Sequence, residues 1–135
     1  MKKPILSKYM QIDMFVMEEE KANEFDQLFE TLLVLLKLKH NLTPEIMIEK
    51  HCALVLYSRN SEGISDFSLR LDATFNNSNG TVVTTDFEIL IISEEIDLSS
   101  IDMFNLDFNW DRYSFKSKYN EDVLLNIMCE LVKCI

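Results

Sequence analysis

The sequence predicts an α+β fold, an antiparallel β-meander of four to five strands with a long N-terminal helix and a C-terminal helix packed on one face. Three observations lead there. Apolar residues recur at helical spacing from Phe25 to Leu36, apolar and polar residues alternate strictly from Phe67 to Phe75, and the cluster Asn76-Asn77-Ser78-Asn79-Gly80 divides that run from a second β-rich one, TVVTTDFEILII. Helical periodicity flanking a block of alternating strands is the pattern of an α+β architecture. The 135 residues are read as one domain, 1–135, long enough to remove about two-thirds of its unfolded surface from water.

Taken in order, Met10, Ile12, Met14 and Val16 alternate with Gln11 and Asp13, which predicts a first strand across YMQIDMFV. The acidic run Glu18-Glu19-Glu20 leads into the long helix. Asn23 is an N-cap candidate with Asp26 three residues on, and Phe25, Leu28, Phe29, Leu32, Leu33, Leu35 and Leu36 follow at helical spacing. Acids crowd its start and Lys37, Lys39 and His40 its end, as the helix dipole prefers. With Val34 and Leu38 its apolar surface is broader than one stripe, so the helix either lies deep or also faces a second subunit. A homo-oligomer is therefore expected.

Asn41-Leu42-Thr43-Pro44 ends the helix and offers a cap with Pro at the first helical position, so a short helical turn over PEIMIEK is expected. CALVLYS, DFSLRLDATF and TVVTTDFEILII read as consecutive strands. In the second, Phe67, Leu69, Leu71, Ala73 and Phe75 face one way and Ser68, Arg70, Asp72 and Thr74 the other, the mark of a sheet packed on one face. The Asn- and Gly-rich cluster at 76–80 tolerates positive φ and joins two strands as a hairpin, and the Ser58–Gly63 loop suggests the same for the preceding pair. Asn120 caps a closing helix whose Leu124, Ile127, Met128, Leu131 and Ile135 form an apolar stripe.

Before that helix, NLDFNWDRYSF places Asp107, Asn109 and Asp111 as D-x-N-x-D, the opening of a calcium loop. Such a loop needs Gly at its sixth position and a bidentate Glu at its twelfth. Arg112 and Lys118 stand there instead. Leu106, Phe108 and Trp110 alternate with the three polar residues, which predicts a strand with an acidic outer face and no metal.

The net charge of −10 is concentrated. Between Arg70 and Arg112 there is no Lys or Arg, while Asp72, Asp86, Glu88, Glu94, Glu95, Asp97, Asp102, Asp107 and Asp111 supply nine negative charges; the rest of the chain, with 14 acids and 13 bases, is near neutral. Such a field attracts a basic partner and repels nucleic acid and anionic membrane. From this segment the candidate partner-binding residues are Asp86, Glu88, Glu94, Glu95, Asp97, Asp102, Asp107 and Asp111, with Trp110 and Tyr113 as aromatic anchors. No signal-peptide core and no apolar run of spanning length is present, so a cytoplasmic protein is expected.

Little chemistry is visible. His51 and Cys52 adjoin, but neighbours on a strand point to opposite faces, so Cys52 reads as a core residue. Cys52, Cys129 and Cys134 lack metal-ligand spacing, and two glycines provide no phosphate-cradling loop. No cofactor and no enzymatic activity are expected.

The stretch HCALVLYSRNSEGISDFSLRLDATFNNSNGTVVTTDFEILIISEEIDLSSID resembles the long-strand meander of SecB-type protein-export chaperones, in which extended strands, a hairpin and a strand ending in an acidic, Ile-rich corner precede a helix. The glycine of that family's last strand is absent, a long helix replaces its irregular crossover, and the last helix stops at Ile135. The resemblance implies an acidic oligomer that holds non-native polypeptide along apolar grooves. Size and charge are also similar to those of small acidic type III secretion chaperones. The leading expectation is thus a non-enzymatic polypeptide-binding protein of chaperone or escort type. The alternative is an acidic inhibitor or immunity protein that blocks a basic, nuclease-like target; a small enzyme using a carboxylate or Cys52 comes third.

Overall fold

The computed structural model describes residues 1–9, 12–49, 53–60, 62, 65–107 and 109–135. In chain order the elements are β1 (Lys2–Pro4), β2 (Val16–Glu18), α1 (Glu19–Leu38), β3 (Thr43–Glu49), β4 (Ala53–Arg59), β5 (Ser65–Ser78), β6 (Thr81–Ser93), β7 (Asn105–Asp107), β8 (Arg112–Lys118) and α2 (Glu121–Cys134). The main sheet is six-stranded and antiparallel in the order β3-β4-β5-β6-β8-β7, and β1 and β2 form a separate pair. The expected α+β fold is the one observed, with the meander extended to six strands and the two helices packed together.

Cross-strand register builds the core. Ile48, Leu54, Leu71, Ile89 and Phe115 stand in one row across five strands, and Ile46, Leu56, Leu69, Ile91 and Tyr113 in the next. These side chains share one face, where they meet Phe25, Phe29, Leu32 and Leu36 of α1 and Leu124, Ile127, Met128 and Leu131 of α2. Each such side chain fully removed from water contributes about 1.5–3 kcal/mol, so the alternation of β5 and the stripes of both helices specify the same layer. Most of the broad apolar surface of α1 is spent inward, and only Val34 and Leu38, 50% and 83% exposed, remain on its outer side.

α2 is capped as its sequence indicates, with the Asn120 side chain accepting from the amides of Asp122 at 2.9 Å and Val123 at 3.2 Å. α1 instead starts four residues before the expected Asn23, directly from β2, and has no side-chain cap. The acids Glu19 and Glu20 lie in its first turn, where the helix dipole favours negative charge. At its other end Asn41 turns the chain with φ of 55°, and the Leu42 amide donates to the Leu36 carbonyl at 2.9 Å.

Two local expectations are corrected. Of the stretch YMQIDMFV read as a first strand only Val16, where β2 begins, is strand; Asp13 and Met14 form a turn, and Met10 and Gln11 lie outside the described residues. Ile12, Met14 and Phe15 are all buried, so the run fills the core as a loop and its apolar content does not reflect one alternating face. In the stretch PEIMIEK, Pro44 to Glu49 belong to strand β3, not to a helical turn, and Lys50 lies outside the described residues. Ile46 and Ile48 are β-branched, sit opposite Leu56 and Leu54, and gain cross-strand packing that a single helical turn could not offer. The hairpin expected at the 76–80 cluster is present, but its turn is Asn79-Gly80 alone, with φ of 53° and 74°; Asn76 to Ser78 continue β5, and Ser78 pairs with Thr81.

The N-terminal segment is held on α1 by Asp26, which accepts the Leu6 amide at 2.7 Å. Leu6 adopts φ of 54°, unfavourable for a branched side chain, and this bond secures it. Burial raises the Asp26 pKa, with the Leu6 amide and Lys3 opposing. A raised folded-state pKa means that this carboxyl favours folding below its unfolded pKa and loses that contribution as pH rises through the folded value. Asp26→Asn keeps an acceptor for Leu6 without the desolvated charge. Its melting temperature should exceed that of the wild type at neutral pH, with the gain shrinking as pH falls into the carboxylate range; parallel thermal melts at several pH values check this.

Candidate functional site

The β7–β8 connection presents the largest exposed aromatic in the chain. Asp107 pairs with Arg112 across the hairpin, and the intervening turn folds on Asp107 itself. Its Oδ1 accepts the Asn109 amide at 3.1 Å and its carbonyl accepts the Trp110 amide at 3.2 Å. Asp111 reverses the chain with φ of 48°, and its carbonyl accepts the Ser93 amide at 3.3 Å, tying the turn to the end of β6. Trp110 is left 69% exposed on a turn whose backbone is fixed from three sides.

This corrects the expectation of one strand from Leu106 to Asp111. The alternation ends at Asp107 because an Asx turn captures the following amides, a competition between side chain and ladder that Asp and Asn commonly win. Asp107, Asn109 and Asp111 therefore do not share a strand face, and Phe108 lies outside the described residues. The calcium reading gains nothing from the tighter geometry. Both Asp107 carboxylate oxygens are engaged, Oδ2 by Arg112 at 3.5 Å, and among the described residues no cluster of three His, Cys, Asp or Glu could hold a metal. Calcium at fixed ionic strength should leave the melting temperature unchanged; a saturable, stoichiometric rise would contradict that.

The acidic segment is divided by the fold. Asp86 and Glu88 lie on β6 opposite Lys118 and Lys116 of β8, and Asp107 bridges Arg112, so the cations that follow the segment in sequence return to lie beside it. Asp72 likewise meets the Arg70 guanidinium at 2.9 Å. Glu94, Glu95, Asp102 and Asp111 are exposed, and none has a bridging cation among the described residues. Glu94 follows Ser93, so Glu94, Asp107, Asp111 and Trp110 gather at one end of the sheet. Asp97 and Asp102 belong to the connector between β6 and β7. Hydrogen bonds from Ser99 chiefly, and from Tyr113, hold the Asp97 pKa below the usual carboxylate value.

Tyr113 is not a surface anchor. It is 6% exposed, packs edge-on against Phe104 with ring centroids 6.4 Å apart, and its hydroxyl accepts the Leu98 amide at 3.1 Å. The residue is an interior strut that fixes the acidic connector to β8. Of the two candidate aromatics only Trp110 is available to a partner.

Sequence reasoning missed the outer face of the sheet, where Met47, Tyr57, Leu90 and Ile92 alternate with Arg70, Arg112 and Lys116. A shallow depression of about 250 Å³ lies there, lined by Glu88, Leu90, Asn105, Arg112, Ser114 and Lys116 among others. The pairing of β6 with the non-consecutive β8 creates it, a partnership that hydrophobic periodicity does not encode. The candidate nucleophile Cys52 and its neighbour His51 lie outside the described residues, while Cys129 and Cys134 are half-buried thiols of α2. The His40 imidazole is engaged, with Nε2 3.0 Å from the Ile135 carbonyl. Among the described residues no helix is long and apolar enough to cross a membrane. No family model, curated protein or solved structure matches the chain.

Proposed function

We propose that this chain is a non-enzymatic protein-binding module that recognises a basic protein surface through the β7–β8 turn, as an inhibitor or immunity protein would. The observation that carries the reading is Trp110, presented 69% exposed on a hydrogen-bonded turn and flanked by Asp107, Asp111 and Glu94. A pre-fixed Trp brings large contact area at little ordering cost, and the acids around it, of which Asp107 is bridged by Arg112 while Asp111 and Glu94 have no bridging cation among the described residues, steer a cationic partner. A chaperone or escort role, suggested by the meander's resemblance to SecB-type proteins, asks for a continuous apolar groove. The exposed apolar residues are spread over separate places: Met1 and Tyr9 in the N-terminal segment, Val34 and Leu38 on α1, Phe75 and Val83 on the β5–β6 hairpin, Met47 and Ile92 among charged residues on the outer face of the sheet, and Trp110 at its turn. Dispersal of that kind suits an anchored face better than a holding groove.

The test uses the protein that the wild-type chain captures from its native host at low salt. Asp107→Asn with Asp111→Asn removes two charges yet keeps the Asp107 acceptor for Asn109. Its association rate should fall several-fold at low salt, with the difference vanishing near about 0.5 M salt, where screening acts within about 4 Å. Capture of no basic protein, or a double variant that associates at the wild-type rate at low salt, contradicts the proposal.

A further inference from the structure

We infer that the outer face of the sheet is a self-association surface on which a second copy of this chain stacks about a two-fold axis running along β5. The inference does not rest on the Trp110 reading, since it comes from the register of five strands; the two share only Arg112, which bridges Asp107 in the turn.

The helices occupy one face of the sheet, and the opposite face carries Met47 and Ile92, 41% and 43% exposed, beside the half-buried Tyr57 and Leu90. Two copies of a chain with net charge −10 repel each other across most of their surfaces. This face is the exception, because it gathers Arg59, Arg70, Arg112, Lys116 and Lys118 alongside its acids. Their placement is ordered. Acids Glu45 and Glu49 lie on β3, two strands to one side of β5, and Arg112 and Lys116 lie on β8, two strands to the other.

The rows match as well as the columns. Register places Glu45, Tyr57, Ser68, Ile92 and Arg112 in one row, and Glu49, Ala53, Asp72, Glu88 and Lys116 two residues away, with Val55, Arg70 and Leu90 in the row between. Rotation about an axis along β5 keeps each row and exchanges its two ends. Glu45 then faces Arg112 of the second copy, Glu49 faces its Lys116 and Tyr57 faces its Ile92. Every one of these contacts occurs twice. Arg70, near the axis, is already bridged to Glu49 at 2.7 Å and Asp72 at 2.9 Å, so it enters the interface paired.

Stacked sheets lie about 10 Å apart and rotate by about 30°, which displaces residues two strands from the axis by about 5 Å, within the reach of Glu, Lys and Arg side chains. Rotation about β5 superimposes the five strands from β3 to β8 and leaves β7 beyond the edge, so five strands about 4.8 Å apart, over the seven residues of β3, give a shared face about 19 Å by 23 Å. That falls below the roughly 800 Å² per partner of a standard interface, which places the dimer among weak, concentration-dependent associations.

Sedimentation velocity across the micromolar range tests this on the whole chain. The wild type should show a concentration-dependent species of twice 15.8 kDa. Glu45→Arg and Arg112→Glu, each on the surface, should each weaken dimerisation at least about tenfold by opposing like charges. An equimolar mixture of the two single variants should dimerise again, since both ionic contacts are complementary in the heterodimer. Val34→Asp with Leu38→Asp on α1 should leave the dimer intact. A wild type that stays monomeric, a mixture that fails to recover association, or a dimer lost only with the α1 variant each overturns the inference; thermal melts confirm that every variant is folded.

Discussion

Trp110→Ala should weaken binding of the captured partner by about 2–4 kcal/mol, a loss of about 30- to 1000-fold in affinity, while leaving the fold intact. The two halves of that expectation come from the same geometry. Trp110 is 69% exposed, so its removal opens no cavity, and the turn is held by backbone and Asp107 bonds that do not involve the indole. Its stability should stay within about 0.5 kcal/mol of wild type, as for a surface substitution away from structural features. Binding differs because an indole entering a partner pocket is fully desolvated on a support that is already ordered. Titration calorimetry of the wild type and variant against the captured partner, together with a denaturant melt of each, separates the effects. A change in affinity below threefold would leave Trp110 without its assigned part.

Phe87→Ala should destabilise the chain by about 3–5 kcal/mol, the range for truncating a fully buried aromatic. Phe87 is 1% exposed and lies 5.8 Å from the Phe115 ring and 6.2 Å from the Tyr119 ring, centroid to centroid. Tyr119 in turn meets Phe15 edge-on at 6.0 Å and donates its hydroxyl to the Val16 carbonyl at 3.0 Å. Phe87 thus joins the sheet to the segment from which α1 starts. Burial pushes the Tyr119 pKa far above its ordinary value, in keeping with a phenol held neutral inside this cluster. Domains of this kind are stable by only about 5–15 kcal/mol, so the variant should be marginal at best. Urea unfolding monitored by circular dichroism gives the value; a loss below about 1 kcal/mol would mean that the ring cluster does not bear on the fold as described.

How far the sequence reveals this molecule follows from what periodicity encodes. The core face of β5, the stripe of α2 and the Asn120 cap are legible because one residue type repeats at one period, and the Asn79-Gly80 turn because few residues accept positive φ. Strand β3 reads as a helical turn because Pro44 satisfies a local rule, while packing of Ile46 and Ile48 on Leu56 and Leu54 is a non-local gain. The D-x-N-x-D run reads as a strand because its alternation is real, although an Asx turn at Asp107 interrupts it. Trp110 and Tyr113 look alike as candidate surface aromatics in the sequence, and only the Leu98 amide and Phe104 that enclose Tyr113 separate it from the exposed Trp110. Least legible is the charge arrangement. Nine acids without an intervening base suggest one continuous acidic field, and only the pairing of β6 with β8 brings Lys116, Lys118 and Arg112 alongside part of it.

Trp110 is the chain's single tryptophan, so emission excited selectively at tryptophan, beyond the absorption of the tyrosines, reports the β7–β8 turn alone. In the free chain its emission should be that of a solvated indole, open to a collisional quencher such as acrylamide. The decisive measurement is a titration with the captured partner, choosing one without tryptophan or labelling Trp110 isotopically for heteronuclear NMR. The account predicts a blue-shifted emission and strong protection from acrylamide, saturating with the same dissociation constant as calorimetry. Saturable binding by calorimetry with unchanged emission and unchanged quenching would place the partner elsewhere and contradict the account.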